Sequence, residues 1–403
     1  MRILFVSNRG LYPIVDGHTR RSSNILKMLS ELHEVSFVSL YESKEEISKD
    51  NLSYLNSICK QVEFYKAPSK KISFEMLFRL FYSIFSHKPY IIWRHYSHRF
   101  YNRIRHLANS NNYDLILLDN LPIAYCYQPN LSIAQVLTDH DVSYLKCKRM
   151  AEQKTNLLSK LFYTYEAYKL KNYERKIIGQ TDLCIAVSDV DKEALNKLNP
   201  AANITVIENG VDIEVFYANN HIASPTDLLW FGGFSNGPNK ESMQFYVEKI
   251  HHLISKEVPD IKLNILGGGN TTWLTKLTKG KESLNACGYV DDITPYANKA
   301  GIFIAPITSG GGTKLKVIEA MALGKAIVTT SIGCEGIDGT DGKEYLIADT
   351  PLEFSNAVIK LTKDNDLRNL LGINARKFIE KKFDWRIINE KLKKAFQLLI
   401  PSQ

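Results

Sequence analysis

Short apolar segments alternate with longer amphipathic segments along nearly the whole chain of 403 residues. Apolar runs of about four to eight residues, bounded by turn residues, are typical of buried strands. Strands that recur with helices between them form βαβ units and parallel sheets. The pattern therefore predicts an α/β protein built from two doubly wound parallel sheets, each made from about 200 residues.

The predicted elements follow one another in chain order. The strands of the first half are Ile3–Ser7, Val35–Leu40, Gln61–Tyr65, Leu115–Leu118, Ile133–Leu137, Leu183–Val187 and Ile204–Ile207. Those of the second half are Leu228–Phe231, Lys262–Leu266, Leu284–Cys287, Gly301–Ala305 and Ala326–Thr329. The main helical segments are Arg20–Leu32, Tyr144–Ile178, Lys240–Ser255, Thr313–Leu323, Leu352–Thr362 and Asp366–Lys382. Ligands of such sheets bind beyond the carboxyl ends of the strands. We therefore expect the chemistry in the loops after Ser7, Leu137, Phe231, Leu266, Cys287 and Ala305.

A domain boundary is predicted near Glu208–Asn220, where turn residues precede a polar stretch without hydrophobic periodicity. This boundary divides the chain into a first domain, residues 1–210, and a second domain, residues 211–384. The amphipathic segment 385–403 fits packing on either domain, including a return to the first.

The positive charge of the chain is confined to its first half. Residues 1–200 hold 28 Lys/Arg and 20 Asp/Glu, a net of +8, whereas residues 201–403 hold 23 of each. A basic half favours an anionic partner such as nucleic acid, a membrane surface or an anionic substrate. A solvated basic face that only aids solubility remains the alternative.

Cysteine spacing and hydropathy narrow the class of protein. The six cysteines form no CxxC or CxxxC pair, which disfavours a disulfide framework or a zinc knuckle and favours a reducing cytoplasm. No apolar run approaches the ~18 residues of a membrane span. The apolar start is too short for a signal peptide and is expected to be a buried strand.

The most specific stretch is ITSGGGTKLKVIEAMALGKAIVTT, residues 307–330, where a strand leads into three glycines and then a helix. Glycines let a phosphate approach the backbone, and free N–H groups at a helix start bind anions. Lys314 and Lys316 add two cations close to the helix start, where cations are unfavourable unless an anion binds. Glu319, further along the helix, is placed to accept hydrogen bonds from a ribose diol. A flexible glycine loop with surface lysines is the alternative.

This stretch resembles the donor-site signature of glycosyltransferase family 4, whose members are retaining enzymes of the GT-B fold. Further segments resemble the family in its own order. They are LYPIVDGHTRRSSNILKMLSELHEVSFVSL, VLTDHDVSYL, AVSDVDKEAL, VIENGVDIEVF, LLWFGGFSNGPNKESMQF and CGYVDDITPYANKAGIFIAP. The resemblance covers most of the chain and is thin only across residues 41–112. It implies two Rossmann-like domains that face a cleft.

For the donor, the resemblance implies that Glu319 binds the ribose hydroxyls. The family's first glutamate is replaced by Gly311, which moves the sugar contact to the backbone of Gly310–Gly312 and leaves the hexose open. The loop GGFSNGPNKES, which holds Gly233, lacks the family's arginine. Lys314, with Lys316, then becomes the candidate for the diphosphate beside Thr313.

The resemblance assigns His140 and the base-binding residues, and position after the first strand suggests Gly17, Arg20 and Arg21. His140 is expected to hydrogen-bond the transferred sugar and, with Lys314 and Glu319, completes the predicted catalytic set. A helix cap at Asp139 or Asp141 is the alternative for that segment. Gly17 would let the chain pass the donor phosphates, and the base would rest near Tyr289 and Val290. Two arginines, Arg20 and Arg21, are candidates for the acceptor or a phosphate, or are solvated.

Neither a cofactor nor a metal is expected. No DxD carboxylate pair falls on a predicted cleft loop, and the other histidines show no metal-ligand spacing. Lysines and a helix start would instead neutralise the leaving diphosphate. The loop 265–270 lacks the G-x-G-x-x-G spacing, because position 272 is Thr, which argues against a dehydrogenase.

The segment Cys59–Leu107 combines ten Lys/Arg, among them Lys70, Lys71 and Arg79, and only two Glu with many aromatic residues. Such a mixture suits an anionic membrane interface or single-stranded nucleic acid. A pair of core helices with a basic outer face is the alternative. The donor motif in the other half favours a lipid-linked acceptor over nucleic acid. Docking by charge alone would be peripheral and reversed by salt.

These observations predict a metal-independent glycosyltransferase of polysaccharide biosynthesis. It would move a hexose from a UDP- or GDP-linked sugar to a glycan or polyprenyl-linked saccharide. Its expected place is the cytoplasm, including the inner face of the plasma membrane. The alternatives are a nucleotide-sugar hydrolase or epimerase on the same fold, and a catalytically silent module that binds glycan or a partner protein.

Overall fold

The structure is a computed structural model. It describes residues 1–68, 74–110, 112–217, 223–234 and 237–399. The contacts divide the chain into unit 1, Met1–Glu208 with the chain from Asn389 onward, and unit 2, Asn209–Ile388. Three residues named in the sequence predictions lie outside the described residues, namely Lys70, Lys71 and Asn220.

Unit 1 is built on a parallel sheet of seven strands in the order β3-β2-β1-β4-β5-β6-β7. The strands are β1 (Arg2–Ser7), β2 (Glu34–Tyr41), β3 (Gln61–Lys66), β4 (Leu115–Asp119), β5 (Ala134–Thr138), β6 (Leu183–Ala186) and β7 (Ile204–Val206). The helices are α1 (Gly17–Leu32), α2 (Lys49–Ile58), α3 (Phe74–Phe85), α4 (Tyr90–His95), α5 (His98–Ala108), α6 (Ser143–Gln153), α7 (Leu157–Ile178) and α8 (Asp189–Leu198), with a 3₁₀ turn at Leu121–Cys126.

Unit 2 repeats this plan with six parallel strands in the order β10-β9-β8-β11-β12-β13. The strands are β8 (Ser224–Phe231), β9 (Lys262–Leu266), β10 (Leu284–Gly288), β11 (Ala300–Ala305), β12 (Ala326–Thr329) and β13 (Leu346–Ile347). The helices are α9 (Gly237–Phe245), α10 (His251–Glu257), α11 (Thr272–Thr278), α12 (Thr294–Lys299), α13 (Leu315–Ala322), α14 (Pro351–Lys363), α15 (Asn365–Lys382) and α16 (Trp385–Leu399), with a π-helical turn at Tyr246–Ile250. The boundary between the units falls inside α16.

The strands of unit 2 are apolar on both faces because helices cover both sides of a parallel sheet. Along β8, Leu228 and Trp230 pack into one core, whereas Leu229 and Phe231 pack into the core on the other face. The same two-sided burial explains why short continuous apolar runs predicted the strands. The predicted α/β class and its doubly wound sheets are confirmed.

Each sheet has one point where the strand order reverses, between β1 and β4 in unit 1 and between β8 and β11 in unit 2. At such a point the loops beyond neighbouring strands diverge to opposite faces and leave a crevice for a ligand. In unit 1 the register pairs Ser7 with Asp119, the last residues of β1 and β4. In unit 2 the corresponding strand ends are Phe231 and Ala305.

Two differences between the predicted and the observed helices bear on the residues discussed below. The segment Tyr144–Ile178 is two helices, because the Asn156 side chain accepts a hydrogen bond from the Ser159 amide at 3.0 Å and starts α7 anew. The helix predicted from Thr313 begins at Leu315, with Lys314 as its N-cap residue. Thr313 therefore belongs to the glycine-rich loop.

Candidate active site

The glycine-rich loop of unit 2 runs from the end of β11 to the start of α13. Gly310 (φ +108°) and Gly312 (φ +64°) have left-handed backbones that only glycine adopts without strain. A Cβ at Gly310 would lie 3.6 Å from the ring of Pro238. The positive φ angles therefore require glycine in this turn, and the three glycines place no side chain of their own over the loop backbone.

Lys314 is folded back over this loop. Its ammonium donates to the carbonyls of Gly312 and Gly311, at 2.5 and 3.2 Å, and lies 3.9 Å from the Glu335 carboxylate. These contacts fix the carbonyls of the turn on the lysine side. Lys314 thus adds positive charge at the loop and holds the loop's conformation.

Lys316 lies deeper, between the loops that follow β8 and β11. Its ammonium sits 4.3 Å from the ring centroid of Trp230 and donates to the Asn239 side chain. A Cβ at Gly232, whose φ is +158°, would lie 2.7 Å from that ammonium, so glycine makes room for the lysine. Burial lowers the pKa of Lys316 to about 7. A partly desolvated cation of this kind is prepared to receive an anion.

Glu319 lies on α13 one turn beyond Lys316 and is 7% exposed. Its charge counteracts the fall in the pKa of Lys316, which shows that the two groups interact electrostatically. Helix α13 thus carries a cation and then, one turn later, a carboxylate. This is the order that a diphosphate followed by a ribose requires.

The loops after β8, β9 and β10 are bound to one another. The Gly267 amide donates to the Gly288 carbonyl at 2.7 Å, and the Phe234 amide donates to the Gly268 carbonyl at 2.8 Å. A Cβ at Gly233 would meet no atom within 4 Å, so this predicted donor residue borders open space.

The residues predicted to support a base lie beside these loops. Tyr289 is 75% exposed and packs on Gly268, where an added Cβ would lie 3.4 Å from the tyrosine. Val290 is partly buried against the core of unit 2. An exposed ring above a glycine backbone can stack on a planar base.

Glu241 is a site residue that the sequence predictions missed. Its carboxylate accepts a hydrogen bond from the Ser309 hydroxyl, immediately before the three glycines. A carboxylate from α9 thus reaches the loop in which Gly311 replaces the family's first glutamate. The segment NKES contains this glutamate, but no neighbouring residue in the sequence indicates that α9 lies against the glycine-rich loop.

In unit 1, a buried carboxylate at the end of β4 organises a separate cluster of polar side chains. Asp119 is fully buried, and one of its oxygens accepts from His140 Nε2 (2.9 Å), Ser22 (2.9 Å) and Thr138 (3.0 Å). The other oxygen accepts from Ser7 at 3.2 Å. Asp119 therefore fixes the ring of His140 at the switch point.

Burial and their mutual interaction set the protonation states of Asp119 and His140. Burial and the neighbouring His18 lower the pKa of His140 to about 4. Burial alone would raise the pKa of Asp119, but His140 and His18 hold it well below its usual range. At neutral pH the imidazole is neutral and donates its Nε2 proton to the carboxylate. Nδ1 of His140 is then an acceptor for a hydroxyl group.

His18 is the second residue of this site that the sequence predictions missed. Its ring stacks on His140 with centroids 4.5 Å apart, and its Nε2 lies 3.4 Å from Asp119. His18, Asp119 and His140 bring three ligand atoms within 4.8 Å of one another, an arrangement that could hold a metal ion. The positions of the histidines in the sequence do not indicate this cluster. The expected metal independence stays a prediction.

The prediction that Arg21 binds the acceptor is wrong. The side chain is 1% exposed, and its guanidinium donates to the carbonyls of Ile207 (2.7 Å) and Glu208 (2.8 Å) inside unit 1. Arg20 is partly exposed on α1, and Gly17 is the exposed first residue of that helix, which Asp16 caps. Of these three residues, Arg20 and Gly17 remain accessible.

The alternative role proposed for Asp139 and Asp141 belongs to another residue. Glu174 on α7 accepts from the amides of Ser143 (2.6 Å) and Tyr144 (3.0 Å), so it caps α6 from outside the segment. Asp141 pairs with Lys146 at 2.6 Å. Asp139 is buried, and burial together with the Glu174 and Asp141 charges raises its pKa well above the usual range.

Family models match both units. The model described as Glycosyltransferase Family 4 matches residues 15–215, and the model described as Glycosyl transferases group 1 matches residues 225–364.

No helix among the described residues is long and apolar enough to cross a membrane.

Three relatives have similar sequences. An uncharacterised 44.6 kDa protein in the cps region of Klebsiella pneumoniae is 26% identical over 95% of this chain and 96% of its own length. An uncharacterised glycosyltransferase of Methanocaldococcus jannaschii is 37% identical over 60% of this chain and 64% of its own. A phosphatidyl-myo-inositol mannosyltransferase of Mycolicibacterium smegmatis is 25% identical over 57% of this chain and 59% of its own.

Solved structures share the fold at low identity. Sucrose-phosphate synthase of Thermosynechococcus elongatus aligns over 100% of both chains with a TM-score of 0.74 and 14% identity. HepE of Anabaena, in complex with UDP, aligns over 98% of this chain and 100% of its own with a TM-score of 0.68 and 14% identity. The family models, the relatives and the two doubly wound sheets together show that this chain belongs to glycosyltransferase family 4 and is a glycosyltransferase with a GT-B fold.

Proposed function

We propose that the enzyme transfers a hexose, with retention of configuration, from a nucleoside diphosphate sugar to a glycan or a lipid-linked saccharide. The observation that carries this proposal is the crevice of unit 2, where Gly310–Gly312, Lys316 and Glu319 converge at the switch point. An open glycine backbone and a desolvated lysine suit a diphosphate, and a buried carboxylate suits a ribose diol.

Relatives support this choice of donor. HepE is described in complex with UDP, with UDP and glucose, and with UDP-glucose. The relatives named as mannosyltransferases act on phosphatidyl-myo-inositol, a lipid. These names favour a nucleotide-linked hexose as donor and a lipid-linked acceptor for this chain as well.

Each residue has a chemical role in this proposal. The base stacks near Tyr289 and Val290, and Glu319 accepts from both ribose hydroxyls. Lys316 and the amides of the glycine-rich loop neutralise the charge that develops on the leaving diphosphate. His140 accepts a hydrogen bond from a hydroxyl of the transferred sugar. In the proposed transfer, the bond from the sugar to the diphosphate breaks as the bond to the acceptor oxygen forms, and the leaving phosphate takes the acceptor proton on the face from which it departs.

A thermal-shift screen with UDP-, GDP-, ADP- and TDP-sugars tests the donor assignment. We expect one nucleoside diphosphate series to raise the melting temperature, and product analysis with candidate acceptors to give a glycoside of unchanged anomeric configuration. Release of free sugar without transfer would instead indicate a hydrolase. Failure of every nucleotide to bind would contradict the proposed donor site and favour the silent module that Gly311 suggests.

Removal of divalent metal provides the first prediction. Activity should survive EDTA, because Lys316, Lys314 and the loop amides meet the charge of the leaving diphosphate without an ion. Initial rates measured with and without EDTA check this expectation. A complete loss that Mn²⁺ or Mg²⁺ restores would contradict it and would direct attention to His18, Asp119 and His140.

The low pKa of Lys316 provides the second prediction. A bound diphosphate stabilises the charged ammonium, so binding raises its pKa from about 7 and takes up a proton at neutral pH. UDP affinity should therefore fall as the pH rises from 7 to 9 by up to about 50-fold, in proportion to the loss of the protonated lysine. Calorimetry in buffers of different ionisation enthalpy measures the proton uptake. Lys316→Met serves as the control, because it should bind UDP weakly at every pH without the lysine's share of proton uptake. Equal uptake by the wild type and the variant would contradict the assignment.

A further inference from the structure

Helix α3 presents its apolar side chains to solvent. Ser83 is its one buried residue, whereas its four phenylalanines are 60–87% exposed. They are Phe74, Phe78, Phe81 and Phe85. Residues that recur every three or four positions share one face of a helix, so these rings form a single stripe. Every exposed phenylalanine in the described part of the chain lies in this stripe.

Polar contacts hold α3 in this orientation. The Arg79 guanidinium donates to the carbonyls of Trp93 (2.6 Å) and Tyr96 (2.9 Å), on and just after α4. The Lys169 ammonium, from α7, donates to the carbonyl of Ser83 at 2.8 Å. The face of α3 that meets the protein is thus the polar one. The sequence prediction that Arg79 contacts an anionic surface is corrected, because the protein backbone occupies its guanidinium.

A second stripe on α7 continues the first. Tyr165 donates its hydroxyl hydrogen to the carbonyl of Ile84, at 3.0 Å, where α3 ends. The exposed apolar residues on this face of α7 follow helical spacing. They are Leu158 (77% exposed), Leu161 (58%), Tyr165 (43%) and Tyr168 (64%). The two stripes together are called the α3–α7 stripe.

The charges around the α3–α7 stripe are mainly positive. Between residues 74 and 108 the chain has a single carboxylate, Glu75, which pairs with Arg79 at 2.8 Å. The first carboxylate of α7, Glu166, is buried beside Lys169. The flanking cations are exposed, and they are Lys88, Lys154 and Lys160. Exposed apolar rings bordered by lysines, with the Glu75 carboxylate already paired with Arg79, complement an anionic lipid surface.

We propose that the α3–α7 stripe inserts into the interfacial layer of an anionic lipid bilayer and so attaches unit 1 to a membrane. The inference deepens the proposed lipid-linked acceptor, on which it rests, but its test requires no turnover. The sequence analysis expected attachment by charge alone, whereas this proposal adds the insertion of apolar side chains into the lipid. The lysines bring the surface to anionic lipid, and salt screens that attraction, whereas the burial of phenylalanine and leucine in lipid is not screened.

Co-sedimentation of the full chain with vesicles tests this proposal. Vesicles of phosphatidylglycerol with phosphatidylcholine should bind the wild type at low salt and retain a substantial fraction at high salt. Phe78→Ser/Phe81→Ser/Phe85→Ser should bind at least about tenfold more weakly at high salt, because three rings no longer enter the lipid. The matched control is Leu352→Ser/Leu370→Ser/Ile373→Ser, which removes three apolar residues of unit 2 that are also more than half exposed and should bind as the wild type does.

Several outcomes would overturn the proposal. Equal vesicle binding by the wild type and the triple phenylalanine variant would exclude insertion of the stripe. A wild type that ignores vesicles but sediments as a dimer, with a monomeric triple variant, would show that a second copy covers the stripe. The replaced rings are exposed, so circular dichroism melting should confirm that the variant folds.

Fluorescence provides a second measure of insertion. The ring centroids of Trp93 and Tyr82, which lies on α3, are 4.7 Å apart. Brominated lipid should therefore quench the fluorescence of Trp93, and Trp93→Phe should remove that quenching.

Discussion

Replacement of Glu319 with alanine is expected to weaken the binding of the free nucleoside diphosphate by about 100-fold or more. Each hydrogen bond to a charged acceptor contributes about 1.5–3 kcal/mol, and the proposed ribose diol would donate two of them. Glu319 is 7% exposed, so little water competes for its carboxylate. Calorimetric titration of the wild type and of Glu319→Ala with the diphosphate found in the screen measures the difference.

The control for this experiment is Glu257→Ala, which removes an exposed carboxylate at the end of α10, away from the glycine-rich loop. It should leave the affinity unchanged. Glu319→Gln should lie between the wild type and alanine, because an amide oxygen still accepts a hydrogen bond but carries no charge. Equal affinity of Glu319→Ala and the wild type, with an unchanged melting temperature, would refute the ribose assignment.

The sequence predicted the framework of this site because the relevant signals are local. Short apolar runs mark the parallel strands, and the glycines after Ala305 mark a loop that must come close to a ligand. Lys316 and Glu319 then follow from the spacing of one helix. Each of these inferences needs only neighbouring residues and the rule that ligands bind at the carboxyl ends of strands.

The missed residues depend on contacts between distant segments. Asp119 meets His140 because β4 pairs with β1 on one side and β5 on the other, and His18 joins them from α1. Glu241 meets Ser309 across 68 positions of sequence. A sequence read alone does not give strand order or register, so it could not bring these side chains together.

The apolar face of α3 shows a second reason why the sequence could not predict the whole structure. Helical spacing of apolar residues predicts which side chains share a face, but not whether that face meets the core or the solvent. For α5 the sequence alternative of a core helix is right, since Phe100, Ile104 and Leu107 are buried. For α3 it is wrong, because the helix turns its polar side to the protein.

Asp119→Asn is expected to lower kcat by about 10–100-fold while leaving the affinity for the nucleoside diphosphate unchanged. The carboxylate can only accept, which forces the proton of neutral His140 onto Nε2 and leaves Nδ1 to accept from the sugar. An amide in its place can donate to Nε2, so the imidazole proton moves to Nδ1 and the proposed sugar contact is lost. Steady-state kinetics and calorimetric titration separate the two effects, because the proposed nucleotide site lies in unit 2.

The pH profile distinguishes this positioning role from general damage to the fold. Asp119 raises the pKa of His140, so its neutralisation lowers that pKa further below about 4 and keeps the ring uncharged at neutral pH. The loss of kcat in Asp119→Asn should therefore be the same at every pH from about 6 to 9, where neither group of the pair titrates in the wild type. His140→Ala should give a similar loss, and the double variant should lose no more than the larger single loss, because both changes remove one contact. Additive losses would show that Asp119 acts independently of His140 and would contradict the tautomer argument.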